Sequence, residues 1–125
     1  MGFLTDLFKS KTDWTRDELM SLSACLGAMG SADGNFDKNE IEMTGRSLIS
    51  LDKKNVIGDW KTFMSDTNEI SAKEHYAILK KMHSHKRNIV VALLAGVSLA
   101  DDEVSEDEYK FLTGVANILG VKLTK

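Results

Sequence analysis

Ala32-Asp33-Gly34-Asn35-Phe36-Asp37-Lys38-Asn39-Glu40 recurs, altered but in register, as Ala100-Asp101-Asp102-Glu103-Val104-Ser105-Glu106-Asp107-Glu108, 68 residues further along the chain. Each copy follows an apolar run, Leu22 to Met29 in the first and Ile89 to Leu99 in the second, and each precedes another amphipathic segment. A period of this length is that of a supersecondary unit that buries its apolar face only by packing on its neighbour. The pattern predicts an all-α fold: a single compact helical bundle with two pseudo-repeated helical hairpins. It also puts two acidic turns in corresponding places.

Working outward, the helix starts are written as capping boxes, in which a Ser, Thr or Asp at the N-cap is followed three residues later by Glu. Four segments fit: Thr15 to Glu18, Asp37 to Glu40, Ser71 to Glu74 and Ser105 to Glu108. Hydrophobic staples flank three of them, pairing Trp14 with Leu19, Phe36 with Ile41 and Val104 with Tyr109; the fourth would pair Ile70 with His75. These starts predict helices over 15–31, 38–50, 54–65, 71–84, 87–100 and 105–119, with Gly120 as the cap of the last. The segment Asn88 to Leu99 is apolar on nearly every side and is predicted to be the central helix. Leu26, Leu94 and Leu112 are expected in the core between the repeats. Residues 1–14 read as an N-terminal segment, a short amphipathic helix built on Phe3, Leu4, Leu7 and Phe8, and residues 15–125 as the helical domain.

Composition agrees. The 125 residues suit one domain, and 42% are hydrophobic. Proline is absent, which removes the strongest helix breaker. The formal charge of −3, with no basic stripe, argues against nucleic acid as a partner, since phosphate affinity comes from Lys and Arg. A single cysteine, Cys25, excludes an intrachain disulfide and fits a reducing compartment. No secretory signal is expected, and the longest apolar run is too short for direct membrane insertion.

Capping explains part of the repeat. Asp37 and Ser105 open helices, Glu40 and Glu108 complete the boxes, and Gly34 and Asp102 occupy turn positions. It does not explain the remaining acids. Asp33 and Asp101 stand before the turns in matching places, and the second copy crowds Asp101, Asp102, Glu103, Glu106, Asp107 and Glu108 into eight residues. A hard divalent cation would relieve that repulsion. An EF-hand loop starting at Asp33 has oxygen side chains at its first four odd positions, but Lys38 stands where glycine is required and Thr44 where the bidentate Glu belongs. The EF-hand is rejected, and a looser oxygen site at Asp33, Asp37 and Glu40, or at Asp101 and Glu108, is the candidate metal site.

Two helical repeats, each with Ala-Asp-Gly or a close variant before an acidic helix start, resemble the TerB-like family of tellurite-resistance proteins. The similarity covers about residues 15–120, most specifically 22–48 and 90–116. It implies a compact all-α protein, often bacterial and cytoplasmic, associated with resistance to tellurium oxyanions and wider stress responses. The resemblance also implies divalent-cation binding, calcium in particular, at acids that fall on Asp33, Glu40, Asp101 and Glu108. It further implies a membrane-bound partner of the TerC type. The chain departs from the motif at Asp102, where the family prefers glycine.

Other chemistry has less support. His83-Ser84-His85 lacks the Cys pair or HExxH pattern of a zinc site. Cys25 lies in an apolar stripe and is expected to behave as a small hydrophobe. No phosphate-binding loop or nucleophile elbow is present. The expected function is a non-enzymatic, TerB-like stress-response protein that binds a divalent cation. The alternative is a helical adaptor that meets a partner protein through its acidic face without metal. A metal-dependent hydrolase would need a substrate cleft and a full ligand set.

Overall fold

The computed structural model describes residues 13–30, 38–98 and 106–122, with backbone alone at positions 30, 38–41, 43, 97 and 98. Six helices make up the described chain: α1 (Arg16–Gly30), α2 (Lys38–Leu51), α3 (Trp60–Glu69), α4 (Ala72–Lys81), α5 (Ser84–Ser98) and α6 (Glu106–Leu119). No strand occurs among the described residues, as the all-α reading requires. The bounds of α5 and α6 each fall 68 residues after those of α1 and α2.

Local chemistry accounts for the ends. At α1 the capping box is reciprocal. The Glu18 amide donates to the Thr15 hydroxyl at 3.1 Å, and the Thr15 amide donates to the Glu18 carboxylate at 2.9 Å. Trp14, just before it, is buried with Leu19 as the staple predicts. Ser71 caps α4 by accepting from the Glu74 amide at 3.2 Å. At the end of α6, Gly120 takes φ +70°. There its amide donates to Asn117 O at 3.2 Å and the Val121 amide to Ala116 O at 2.8 Å, the paired bonds of a Schellman ending.

Predicted boundaries are corrected for three helices. The helix expected over 54–65 begins only at Trp60 and runs to Glu69. Asn55 (φ 57°) and Gly58 (φ 62°) are left-handed, and the Asp52 carboxylate holds the loop open by accepting from the Val56 and Ile57 amides at 2.7 and 2.9 Å. Asp59 is the true cap, accepting from the Thr62 amide at 2.9 Å. The helix expected over 71–84 stops at Lys81, because Met82 turns to ψ 154° to bury its side chain, and α5 starts at Ser84 rather than 87.

α1 packs against all five other helices, most extensively α4, while α5 packs on α1, α2 and α6. The hub is therefore α1, not the more apolar α5. Its Ser21 and Ser23 are buried yet partnered, and small side chains let several helices approach one axis. The contacts of α1 with α6 and of α5 with α2 are the same contact with the repeats exchanged, so the two hairpins pack about an approximate two-fold axis. Leu26 and Leu94 are wholly buried and Leu112 nearly so, as expected. No described helix is long and apolar enough to cross a membrane.

Candidate functional site

The acidic turns lie between the helices of each hairpin. Asp33, Asp37 and Asp101, with Gly34, Asp102 and Ser105, fall outside the described residues. The frame around them is described. The first turn leaves Gly30 of α1 and enters α2 at Lys38, and the second leaves Ser98 of α5 and enters α6 at Glu106. Glu40 and Glu108 are each the third residue of their helix.

Glu108 is only 4% exposed. A carboxylate in the first turn of a helix meets the positive end of the helix dipole, and burial demands that it also meet polar or cationic groups. The surrounding first turn adds Glu106 and Asp107, both exposed. Among the described residues no three His, Cys, Asp or Glu converge on a metal-sized site. The histidines His83 and His85 are on the surface.

The structure shows a polar cluster that sequence reasoning missed. His75 of α4 is buried between α1 and α3. Its Nδ1 lies 2.9 Å from Ser21 Oγ and its Nε2 lies 2.9 Å from the Thr67 carbonyl oxygen. A carbonyl can only accept, so Nε2 carries the proton and Nδ1 accepts from the Ser21 hydroxyl in the neutral ring. Thr67 in turn donates its hydroxyl to Phe63 O at 2.8 Å. The available signal was periodicity: His75, Leu79 and Met82 form one buried stripe.

The Ser21–His75 pair has the spacing of a nucleophile and its base, but not the access. Ser21 is completely buried, and the neighbouring cleft of about 460 Å³ is lined by Ser23, Ala24, Gly27, Met64, Asn68 and His75, without Ser21. Cys25 is equally shielded. Burial pushes its thiol up to about 12, against the opposing effect of a hydrogen bond from Tyr76, so the thiolate that nucleophilic or redox chemistry needs is not formed near neutrality. Burial, and then the neighbouring Cys25, raise the Tyr76 phenol as well.

The chain matches the family described as "Tellurite resistance protein TerB" over residues 19–125, and it belongs to that family. No curated protein and no solved structure matches it.

Proposed function

We propose that this TerB-family protein acts without catalysing a reaction, in tellurite resistance or a related stress response, by binding a divalent cation at its two acidic turns. Calcium is the first candidate, held by Asp33, Asp37 and Glu40 in one turn and by Asp101 and Glu108 in the other. One observation carries the reading: the helices framing the two turns repeat at a constant 68-residue offset, so Glu40 and Glu108 enter their helices at the same position. The donor set is all oxygen, which suits a hard cation of flexible coordination. The burial of Glu108 at the start of α6 supports the reading, since it sets a carboxylate away from bulk water. A cytoplasmic setting and a membrane-bound partner of the TerC type complete the proposal.

Titration of the full chain with calcium chloride, followed by calorimetry and by amide shifts, tests it. Saturable heat, with shifts at Glu40 and Glu108 that weaken in Asp33→Asn and Asp101→Asn while helix content stays constant, is expected. No heat and no shift at millimolar calcium would remove the metal and leave an adaptor that uses the acids for electrostatic complementarity to a partner protein.

A further inference from the structure

Ile49 and Trp60 are large apolar side chains left in water, 66% and 42% exposed. They border one cleft of about 280 Å³, lined also by Asp52, Asn55, Ile57 and Gly58. Ile57 belongs to the core and closes the bottom of the cleft. The walls are held before anything binds. The two carboxylate oxygens of Asp52 accept the Val56 and Ile57 amides of the loop. Trp60 stacks on the wholly buried Phe63, with ring centroids 5.6 Å apart and planes at 26°. An exposed aromatic ring that is already fixed loses little freedom on binding, and Trp is among the side chains that dominate the energy of protein interfaces.

Charge decides what fits there. The two carboxylates at the cleft are already hydrogen-bonded to their own chain: Asp52 to the loop amides, and Asp59, next to Trp60, to the Thr62 amide and hydroxyl at 2.9 and 2.8 Å. The cations are not engaged in this way. Arg46 stands one turn before Ile49 on α2, Lys53 follows Asp52, and Lys61 follows Trp60; all three are exposed, and no ion pair among the described residues includes them. In a chain whose formal charge is −3, this cleft has a basic rim. We propose that the cleft between Ile49 and Trp60 docks a short acidic segment of a partner protein. A large apolar side chain of that segment enters the cleft, and carboxylates on either side of it meet Arg46, Lys53 and Lys61.

Other occupants match these features less well. Insertion into a lipid surface needs a broad apolar face, whereas here two apolar side chains border a recess. Two copies meeting through this face about a two-fold axis would set Arg46, Lys53 and Lys61 against the same cations. Residues 1–12 carry Lys9 and Lys11 against a single Asp6, so they bring no acidic complement. The volume of about 280 Å³ lies below the roughly 300–1,000 Å³ of clefts that enclose small-molecule ligands, and it suits a side chain instead. Ile49 lies about 16 Å along α2 from the end that joins the first acidic turn. The cleft is therefore a surface apart from both turns, and its occupancy does not depend on whether they bind a cation.

Selection from a random peptide library displayed on phage, with the full chain as bait, tests the proposal. The enriched peptides are expected to carry Asp or Glu on both sides of a Leu, Phe or Trp, and synthetic copies of them to shift the Trp60 indole and Ile49 methyl resonances. Ile49→Ser should weaken those peptides by at least about tenfold, and Lys53→Glu with Lys61→Glu by a similar factor. These three positions are exposed, so the variants leave the core intact and unfold at an unchanged temperature. Enriched peptides without acids, peptides held equally well by both variants, or a selection that enriches nothing would overturn the proposal. So would Ile49 and Trp60 resonances that move with phosphatidylglycerol vesicles and not with the peptides, which would assign the face to lipid. Self-association of the chain that is lost in Ile49→Ser would assign it to a second copy, and Overhauser cross-peaks from Phe3 or Phe8 to Trp60 in the free chain would assign it to the N-terminal segment; either result overturns the acidic partner.

Discussion

The two hairpins share a backbone plan and differ in what lines it. In the first, Ser21, Ser23, Cys25, Thr44 and Ser47 are buried. Their partners 68 residues on are Ile89, Val91, Leu93, Leu112 and Val115, also buried. Position for position, a polar or thiol-bearing interior is matched by an aliphatic one. The fold is therefore held by the placement of buried positions, not by the chemistry filling them. Hydrophobic burial is non-directional and needs only area, whereas the polar half needs each hydroxyl aimed at an acceptor. The polar half is also where α3 and α4 pack on α1, and His75 bridges them.

The comparison breaks most easily at the shared core. Leu26 and Leu94 are equivalent and wholly buried. Each change to alanine should cost about 2–5 kcal/mol in urea denaturation. Costs that differ by more than about 2 kcal/mol would mean that one hairpin relaxes around the cavity and the other does not. Next comes the polar bridge. His75→Ala removes the partner of the Ser21 hydroxyl and one of the two donors to the Thr67 carbonyl, which keeps the Ile70 amide, and should cost about 1–3 kcal/mol, chiefly through the unsatisfied buried hydroxyl. His75→Ala combined with Ser21→Ala should recover part of that loss, as removal of both partners does; no recovery would show that His75 matters through its volume.

The acidic turns sharpen the comparison at a smaller scale. Glu→Gln keeps the side-chain acceptor that a capping box calls for and removes the charge. Calcium affinity should fall by about tenfold, or about 1.4 kcal/mol, in Glu40→Gln, and by less in Glu108→Gln, whose turn has Asp102 where the first has Gly34. Unchanged titrations for both variants would return the two residues to capping alone. The smallest effect concerns Cys25, which stands where the other hairpin has Leu93. Its folded thiol titrates near 12 against an ordinary value of 9.0. A raised value means that its stabilising share is complete below pH 9 and drains away as pH rises from there towards 12. Stability should fall by about 1 kcal/mol more by pH 10 in the unmodified chain than in Cys25→Ala. Parallel pH profiles for the two would place the thiol in contact with water.

Much of this architecture can be read before any coordinates, and the reason is local. Thr15, Ser71 and Gly120 act through bonds to neighbours within five residues, so their roles are written where they stand. The boundaries that shifted depend on competition. Val56 and Ile57 look helical, but Asp52 claims their amides and Gly58 permits the left-handed turn that follows. The choice of α1 as hub was hidden because serine does not look like a core residue until its partner 54 residues away is known. For the candidate site, the position of Glu40 and Glu108 at the third residue of their helices was legible from the capping boxes, and the burial of Glu108 was not. Capping is a local pattern, while burial depends on what the rest of the bundle brings against it.

Glu18 and Lys86 are one another's counterparts in the repeat, and they touch: Lys86 Nζ sits 2.7 Å from Glu18 Oε1, largely shielded from water, with the ammonium 5.5 Å from the centre of the Trp14 ring. Equivalent positions can meet only beside the axis that relates them. In an assembly of two identical hairpins that place would confront a residue with its own twin, glutamate against glutamate or lysine against lysine, and no ion pair could form there. Joining the halves into one polypeptide lifts the constraint. Covalent linkage thus gives this protein a charge pairing at its centre that strict symmetry forbids, and with it a way of telling its two halves apart.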